Sequence, residues 1–212
     1  MSHIELENVK PMDIEKRSFE IITDELGDKK LAPGTELIVK RCIHTSADFD
    51  YADNLYFSEG AVEKALAAIQ KGACIVTDTQ MAKAGINKKS LARYGGEVYC
   101  FMSDEDVAEK AKELGTTRAS VSMGKAAKLD SNLIFAVGNA PTALVRLYEL
   151  IQDGFRPELI IGAPVGFVNV VQSKELIMGT DIPCIVARGR KGGSNIAACI
   201  VNALLYMINN ER

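Results

Sequence analysis

Tryptophan is absent from this 212-residue chain, histidine occurs only twice, and the five cysteines include no C-x-x-C pair. Cys42, Cys74, Cys100, Cys184 and Cys199 therefore offer no motif of metal-binding or redox spacing. Four of them lie in apolar runs, so buried, reduced thiols in a cytoplasmic protein are expected. Charge of one sign is lacking as well: 25 basic and 28 acidic side chains leave a net charge of -3. This near-balance gives no broad electrostatic reason to bind nucleic acid or an acidic membrane, so any anion site has to be local. The most apolar segment, Ile196 to Ile208, is interrupted by Asn202 and is too short to span a bilayer. No basic segment followed by an apolar stretch opens the chain, so no signal peptide is expected. Neither a G-x-G-x-x-G after the first strand pattern nor a G-K-[ST] is present, which removes support for a dinucleotide fold or a Walker A loop. With no internal repeat, low-complexity tract or linker, residues 1–212 are expected to form one domain.

Scarcity makes His44 informative. His3 falls in a loose N-terminal stretch, which leaves His44 as the default proton mover, within Arg41-Cys42-Ile43-His44-Thr45-Ser46-Ala47-Asp48-Phe49-Asp50. Imidazole is the one side chain here whose ordinary pKa, about 6.5, lies near neutrality. Arg41, three residues earlier, disfavours the imidazolium unless a bound anion intervenes. A partly buried histidine satisfied by a backbone carbonyl fits the position equally. Cys42 is two residues away, a spacing that turns side chains apart on a helix or leaves them on one side of a strand, and a Cys-His nucleophilic pair is not expected. Asp48, Asp50 and Asp53 resemble a carboxylate cluster, but helix capping and solvated charge explain them and no metal ligands are assigned.

Five apolar runs have strand character: Ala73–Val76, Glu97–Phe101, Leu133–Val137, Leu159–Ile161 and Pro183–Ala187. Cys74-Ile75-Val76, Leu133-Ile134-Phe135 and Leu159-Ile160-Ile161 show no polar alternation, which predicts strands covered on both faces. Helical patterns separate them. Val62, Ala65, Leu66 and Ile69 precede Gly72, and Val107, Ala111 and Leu114 precede Gly115. Asn139 is expected to cap a helix carrying Leu144, Leu147 and Ile151, and Ser194 or Asn195 opens a last helix with Ile196, Ile200, Leu204 and Met207. In the first sixty residues Ile14, Phe19, Ile22 and Leu26 predict one amphipathic helix, and Glu36–Ile43 fits either helix or strand, with helix preferred. The alternation predicts an α/β fold: a doubly wound, mostly parallel sheet of about five strands with helices on both faces.

In such sheets ligands bind beyond the carboxyl ends of the strands. The segments expected there are Thr77-Asp78-Thr79-Gln80, Gly138-Asn139-Ala140-Pro141-Thr142, Gly162-Ala163-Pro164-Val165-Gly166-Phe167 and Arg188-Gly189-Arg190-Lys191-Gly192-Gly193-Ser194-Asn195. The last combines flexible glycines, three cations and a helix start, the ingredients of a carboxylate or phosphate site. A solvated basic turn would use the same residues. Phe167 in its stiff Pro-Gly loop suits a flat apolar ligand, or a plain turn. Arg118, after Thr116-Thr117, could clamp a carboxylate or make a surface ion pair.

Taken together, these segments resemble the precorrin-8X methylmutases, and within them the cobalt-precorrin-8 branch. The resemblance is carried by Arg17-Ser18-Phe19-Glu20-Ile21-Ile22, by Lys40-Arg41 through Ile43-His44-Thr45 to Asp48-Phe49-Asp50, and by Thr77-Asp78-Thr79 with Met81 and Gly85-Ile86-Asn87. It continues in Thr117-Arg118, Gly138-Asn139-Ala140-Pro141-Thr142-Ala143-Leu144, Pro164-Val165-Gly166-Phe167-Val168, Ser173-Lys174-Glu175 and Gly189-Arg190-Lys191-Gly192-Gly193-Ser194-Asn195. It implies a flavodoxin-like sheet, a homodimer, and migration of a methyl group from carbon 11 to carbon 12 of ring C in a corrinoid (tetrapyrrole) substrate. It also implies that no external cofactor is needed, any cobalt being carried by the substrate. The family's catalytic histidine falls on His44 and its substrate contacts on Ser18 and Arg41, with Arg118, Asn139, Gly166, Phe167, Arg190 and Ser194 as neighbours. A non-catalytic corrinoid carrier would use the same pocket and anion grips. An enzyme acting on a phosphorylated metabolite would use the Gly189–Asn195 loop.

Overall fold

The helical spacing of Ile14, Phe19, Ile22 and Leu26 becomes helix α1 (Ile14–Leu26) in the computed structural model of the chain, which describes residues 6–209. His3 lies outside the described residues. Helix α2 (Glu36–Ser46) runs past Ile43, puts His44 in its last turn, and stops where Ala47 adopts a left-handed conformation, φ 53°. A short helix, α3 (Tyr51–Asn54), leads into β1 (Leu55–Phe57). There follow α4 (Ala61–Gln70), β2 (Cys74–Thr77), α5 (Gln80–Gly85), α6 (Lys88–Ala92), β3 (Val98–Tyr99), α7 (Glu105–Glu113), α8 (Arg118–Ala126) and β4 (Leu133–Val137). The chain ends through α9 (Pro141–Gln152), β5 (Leu159–Gly162), α10 (Val170–Met178), β6 (Cys184–Ala187) and α11 (Ser194–Asn209).

The sheet has six strands rather than about five, in the order β1-β6-β5-β4-β2-β3. All neighbouring pairs are parallel except β1 with β6, where Leu55 lies opposite Ala187. Without that antiparallel edge, the five parallel strands follow the flavodoxin order 2-1-3-4-5. The strand expected over Glu97–Phe101 shrinks to two residues because β3 is an edge with a single neighbour, β2.

The expected burial on both faces is observed. Ile75, Ile134, Ile161 and Ile185 point into a layer with α1, α2, α4 and α11, whereas Val76, Phe135, Ile160 and Val186 pack under α8, α9 and α10. Each fully buried aliphatic or aromatic side chain of this kind contributes about 1.5–3 kcal/mol relative to exposure. One cap differs from expectation. Ala140, not Asn139, holds the N-cap position of α9, and Pro141 follows in the first turn, where its missing N–H does no harm. The amides at this helix start are satisfied from another loop: Asp78 accepts from the N–H groups of Gly138, Asn139 and Ala140 at 2.8, 2.8 and 2.7 Å. No helix of the described residues is long and apolar enough to cross a membrane.

Candidate active site

The loops leaving the carboxyl ends of β2, β4, β5 and β6 are stitched together. Gly193 N–H donates to the Ala163 carbonyl at 2.8 Å, Gly166 N–H to the Arg190 carbonyl at 3.2 Å, and the Thr79 and Ser194 hydroxyls share a 2.8 Å hydrogen bond. Gly138 is packed so closely that a Cβ there would stand 2.6 Å from Ser194 Cα. The floor of the crevice between β2 and β4, where strand order reverses, is therefore filled by the protein itself. Asp78 is completely buried in it; burial pushes its pKa up, against the pull of the three amides.

His44 lies to one side of these loops. The helical register buries Cys42 and turns His44 to solvent, so the two do not form a pair. The imidazole faces Phe19 of α1, ring centroids 5.5 Å apart. Both helices line an open depression of about 250 Å³ formed by Ser18, Ile21, Ile22, Glu25, Ile43, His44, Ala47 and Phe49. Ser18 is thus brought beside His44, although its own hydroxyl donates to the Ile14 carbonyl at 2.9 Å.

Arg41, one turn earlier on α2, is largely enclosed by protein groups. Its side chain is 10% exposed and meets Glu15 of α1 at 2.9 Å. The guanidinium is sandwiched between Tyr206 of α11, 4.4 Å from the ring centroid, and Phe19, 5.4 Å away. Its Nε is the one buried side-chain polar atom without a hydrogen-bond partner among the described residues. An edge of Arg41 lines a 310 Å³ depression with Thr45, Met81, Asn195, Cys199 and Tyr206, and another edge lines a 570 Å³ groove with Met12, Glu15 and Phe19. Thr45 donates to Cys199 Sγ at 3.2 Å.

The remaining expected residues form a second group on the loops. Arg190 stacks over Phe167, 5.5 Å from the ring centroid, and Phe167 itself is 81% exposed. Asn139 is exposed and Ser194 half-buried. Arg118 is exposed at the start of α8, whose N-cap residue Thr117 shares a 2.7 Å hydroxyl contact with Thr142 in the first turn of α9. Lys191, one of the three cations of the expected anion loop, binds Asp48 at 2.7 Å and Asp50 at 2.5 Å. These hydrogen bonds raise the pKa of Lys191 and hold Asp48 below the usual carboxylate range. The same contact joins the His44 segment to the glycine-rich loop, so the carboxylate cluster acts as a cross-brace. A depression of about 650 Å³ among α7, α8 and α9 contains none of the expected site residues.

Tyr206, Glu15 and Lys174 were not anticipated at the site. Asn195, Cys199, Asn202 and Tyr206 recur at spacings of four, three and four beside the apolar stripe of α11. That polar stripe is the signal from which Tyr206 could have been found. Arg41, Ser18 and His44 thus occupy adjoining surfaces of α1, α2 and α11, with the glycine-rich loop braced against them.

The precorrin-8X methylmutase family model matches residues 13–207. The chain belongs to the precorrin-8X methylmutase family. Within that family it is 45% identical to the cobalt-precorrin-8 methylmutase of Priestia megaterium, over 95% of this chain and 90% of the relative. It is 45% identical to the cobalt-precorrin-8 methylmutase of Salmonella typhimurium, over 93% of this chain and 95% of the relative. The crystal structure of the Thermus thermophilus precorrin-8X methylmutase superposes with a TM-score of 0.85 at 39% identity, covering 93% of this chain and 98% of that one. As a family member the chain is a methylmutase, an isomerase of cobalamin biosynthesis.

Proposed function

We propose that this methylmutase acts on cobalt-precorrin-8, moving the methyl group from carbon 11 to carbon 12 of ring C, with His44 as the group that donates a proton or hydrogen bond to the substrate. The observation that carries the His44 role is its position: an imidazole facing solvent in the last turn of α2, in a depression shared with Ser18. The reaction breaks one carbon–carbon bond and forms another within a single molecule, with no net change of oxidation state. No external cofactor is required, and cobalt arrives as part of the substrate. The preference for the cobalt form is supported by the names of the Priestia and Salmonella relatives.

Migration needs the conjugated macrocycle held in one tautomer and one pucker, with donor and acceptor carbons poised. His44 at the ring C nitrogen stabilises the rearranging electron system, an effect typically worth about two to four orders of magnitude in rate. Arg118 and Arg190 are suited to the acidic rim, and Phe167 gives the ring an apolar surface. Glu15 holds a carboxylate against Arg41, the chemistry a substrate acetate or propionate would offer there. The depressions around His44 and Arg41 are open, and Met81, Phe167 and Val168 are 71%, 81% and 78% exposed. This exposed apolar surface beside the open depressions supports a homodimer in which a second copy of the chain would close the pocket. The five free cysteines fit a cytoplasmic location.

The test is anaerobic incubation of the purified protein with cobalt-precorrin-8 while the visible spectrum is followed. Conversion of the chromophore is expected. Stoichiometric binding with an unchanged spectrum would instead make the protein a carrier.

A further inference from the structure

Lys174 of α10 is among the largest fully buried side chains, at 1% exposure. An ammonium in such a place is strongly disfavoured unless it is well compensated. No carboxylate lies within ion-pair distance of it among the described residues. Its Nζ donates to two backbone carbonyls, Gly189 at 2.8 Å and Lys191 at 2.9 Å. Burial draws its pKa down to about 8. Both acceptors belong to the basic loop between β6 and α11, whose far side is fixed by the Lys191 ion pairs to Asp48 and Asp50. Asp48 follows His44 by four residues. Lys174, the loop backbone, Lys191 and the end of α2 therefore form one continuous polar path.

We propose that Lys174 is a positioning residue: by fixing the Gly189 and Lys191 carbonyls it sets, through Lys191, Asp48 and Asp50, where the His44 end of α2 stands relative to Arg190. This rests on the methylmutase reading for its catalytic consequence, but not for its structural one. Backbone carbonyls held only to shape a turn could be served by a neutral donor or by water. A buried charge aligns them more strongly, and the path leads to the catalytic segment.

The chain has two histidines, so the imidazole signals of His44 and His3 can be told apart by NMR and followed without substrate. Lys174→Met, Lys191→Met and the double variant Asp48→Asn/Asp50→Asn are each expected to shift the His44 signal in the same direction. Lys191→Arg, which retains the charge, is expected to restore it. With cobalt-precorrin-8, kcat should fall about ten- to a hundred-fold in the Met and Asn variants, the scale of a small misplacement of a catalytic group. The combined Lys191→Met/Asp48→Asn/Asp50→Asn variant should lose no more than either parent. Unchanged His44 signals in Lys174→Met and Lys191→Met overturn the proposal, as do kcat losses that multiply in the combined variant. Should Lys174→Met fail to fold, Lys174→Gln, whose shorter side chain cannot hold both carbonyls as the ammonium does, is read by the same His44 signal, and an unchanged signal overturns the proposal. A wild-type protein that leaves the substrate unchanged sinks the methylmutase reading alone, because the NMR comparison still tests the positioning.

Discussion

Replacing Arg41 by methionine separates its role in packing α1, α2 and α11 from its proposed contact with a substrate carboxylate. Methionine keeps much of the apolar stem, so the loss is confined to charge, hydrogen bonding and stacking. The contact with Glu15 is largely screened from water, with side-chain exposures of 10% and 25%, and a charge-assisted hydrogen bond of this sort contributes about 1.5–3 kcal/mol. Stacking on Tyr206 at 4.4 Å and Phe19 at 5.4 Å adds about 0.5–1 kcal/mol each. Relief of the unpartnered buried Nε offsets about 1–3 kcal/mol of that sum. Arg41→Met should therefore cost about 1–3 kcal/mol in urea unfolding. If an edge of Arg41 also meets a substrate carboxylate, losing a bond of about 1.5–3 kcal/mol weakens corrinoid binding about 10- to 100-fold. Absorbance titration with the corrinoid product measures that directly. Glu15→Gln, which weakens the internal competitor, should bind corrinoid at least as tightly as wild type while losing stability. A folded Arg41→Met protein with the wild-type dissociation constant refutes the carboxylate role and leaves Arg41 as an internal strut between α1, α2 and α11.

Two further perturbations test how the loops are held. Gly138→Ala would force a methyl group within 2.6–2.8 Å of backbone atoms of Gly193 and Ser194, so a loss of about 1–3 kcal/mol is expected. In a thermal melt Gly124→Ala, with its nearest neighbour 3.8 Å away at Arg146 Nε, should match or exceed wild type, and equal behaviour of the two variants would contradict the close packing of the loops. Lys174, with its pKa drawn down to about 8 by burial, predicts a pH slope. The unfolded chain keeps this proton up to about pH 10.4, so between the two values the unfolded state binds more protons and stability gains with rising pH. Urea midpoints from pH 7.5 to 10 should show this gain in wild type and not in Lys174→Met; parallel curves would mean that Lys174 titrates normally.

The strands that run through the middle of the sheet were legible because burial on both faces leaves uninterrupted apolar runs, as in Leu133–Val137. β1 was not, because Leu55–Phe57 spans only three residues and becomes a strand only by pairing with β6, over a hundred positions later. The short helices α3, α5 and α6 offer too few turns for a period to register. At the site, scarcity alone singled out His44, and glycines with cations marked the loop before α11. What each charge touches was a different matter. Arg41 and Lys191 looked like equivalent cations, yet one is buried between aromatic rings and the other is bound by Asp48 and Asp50. Lys191 and Asp50 are 141 positions apart, and no local pattern encodes such a pairing. Asp78 carried a faint signal, a carboxylate directly after the buried run Cys74–Thr77, but its three amide donors come from the loop after β4.

Participation of the His44 imidazole in the rearrangement itself is tested by comparing single-turnover rates of wild-type protein and His44→Ala on cobalt-precorrin-8, with corrinoid affinity measured alongside. Affinity within a few-fold of wild type and a rate at least about a hundred-fold lower, the lower end of general acid catalysis, are expected. Wild-type turnover by His44→Ala would contradict that participation.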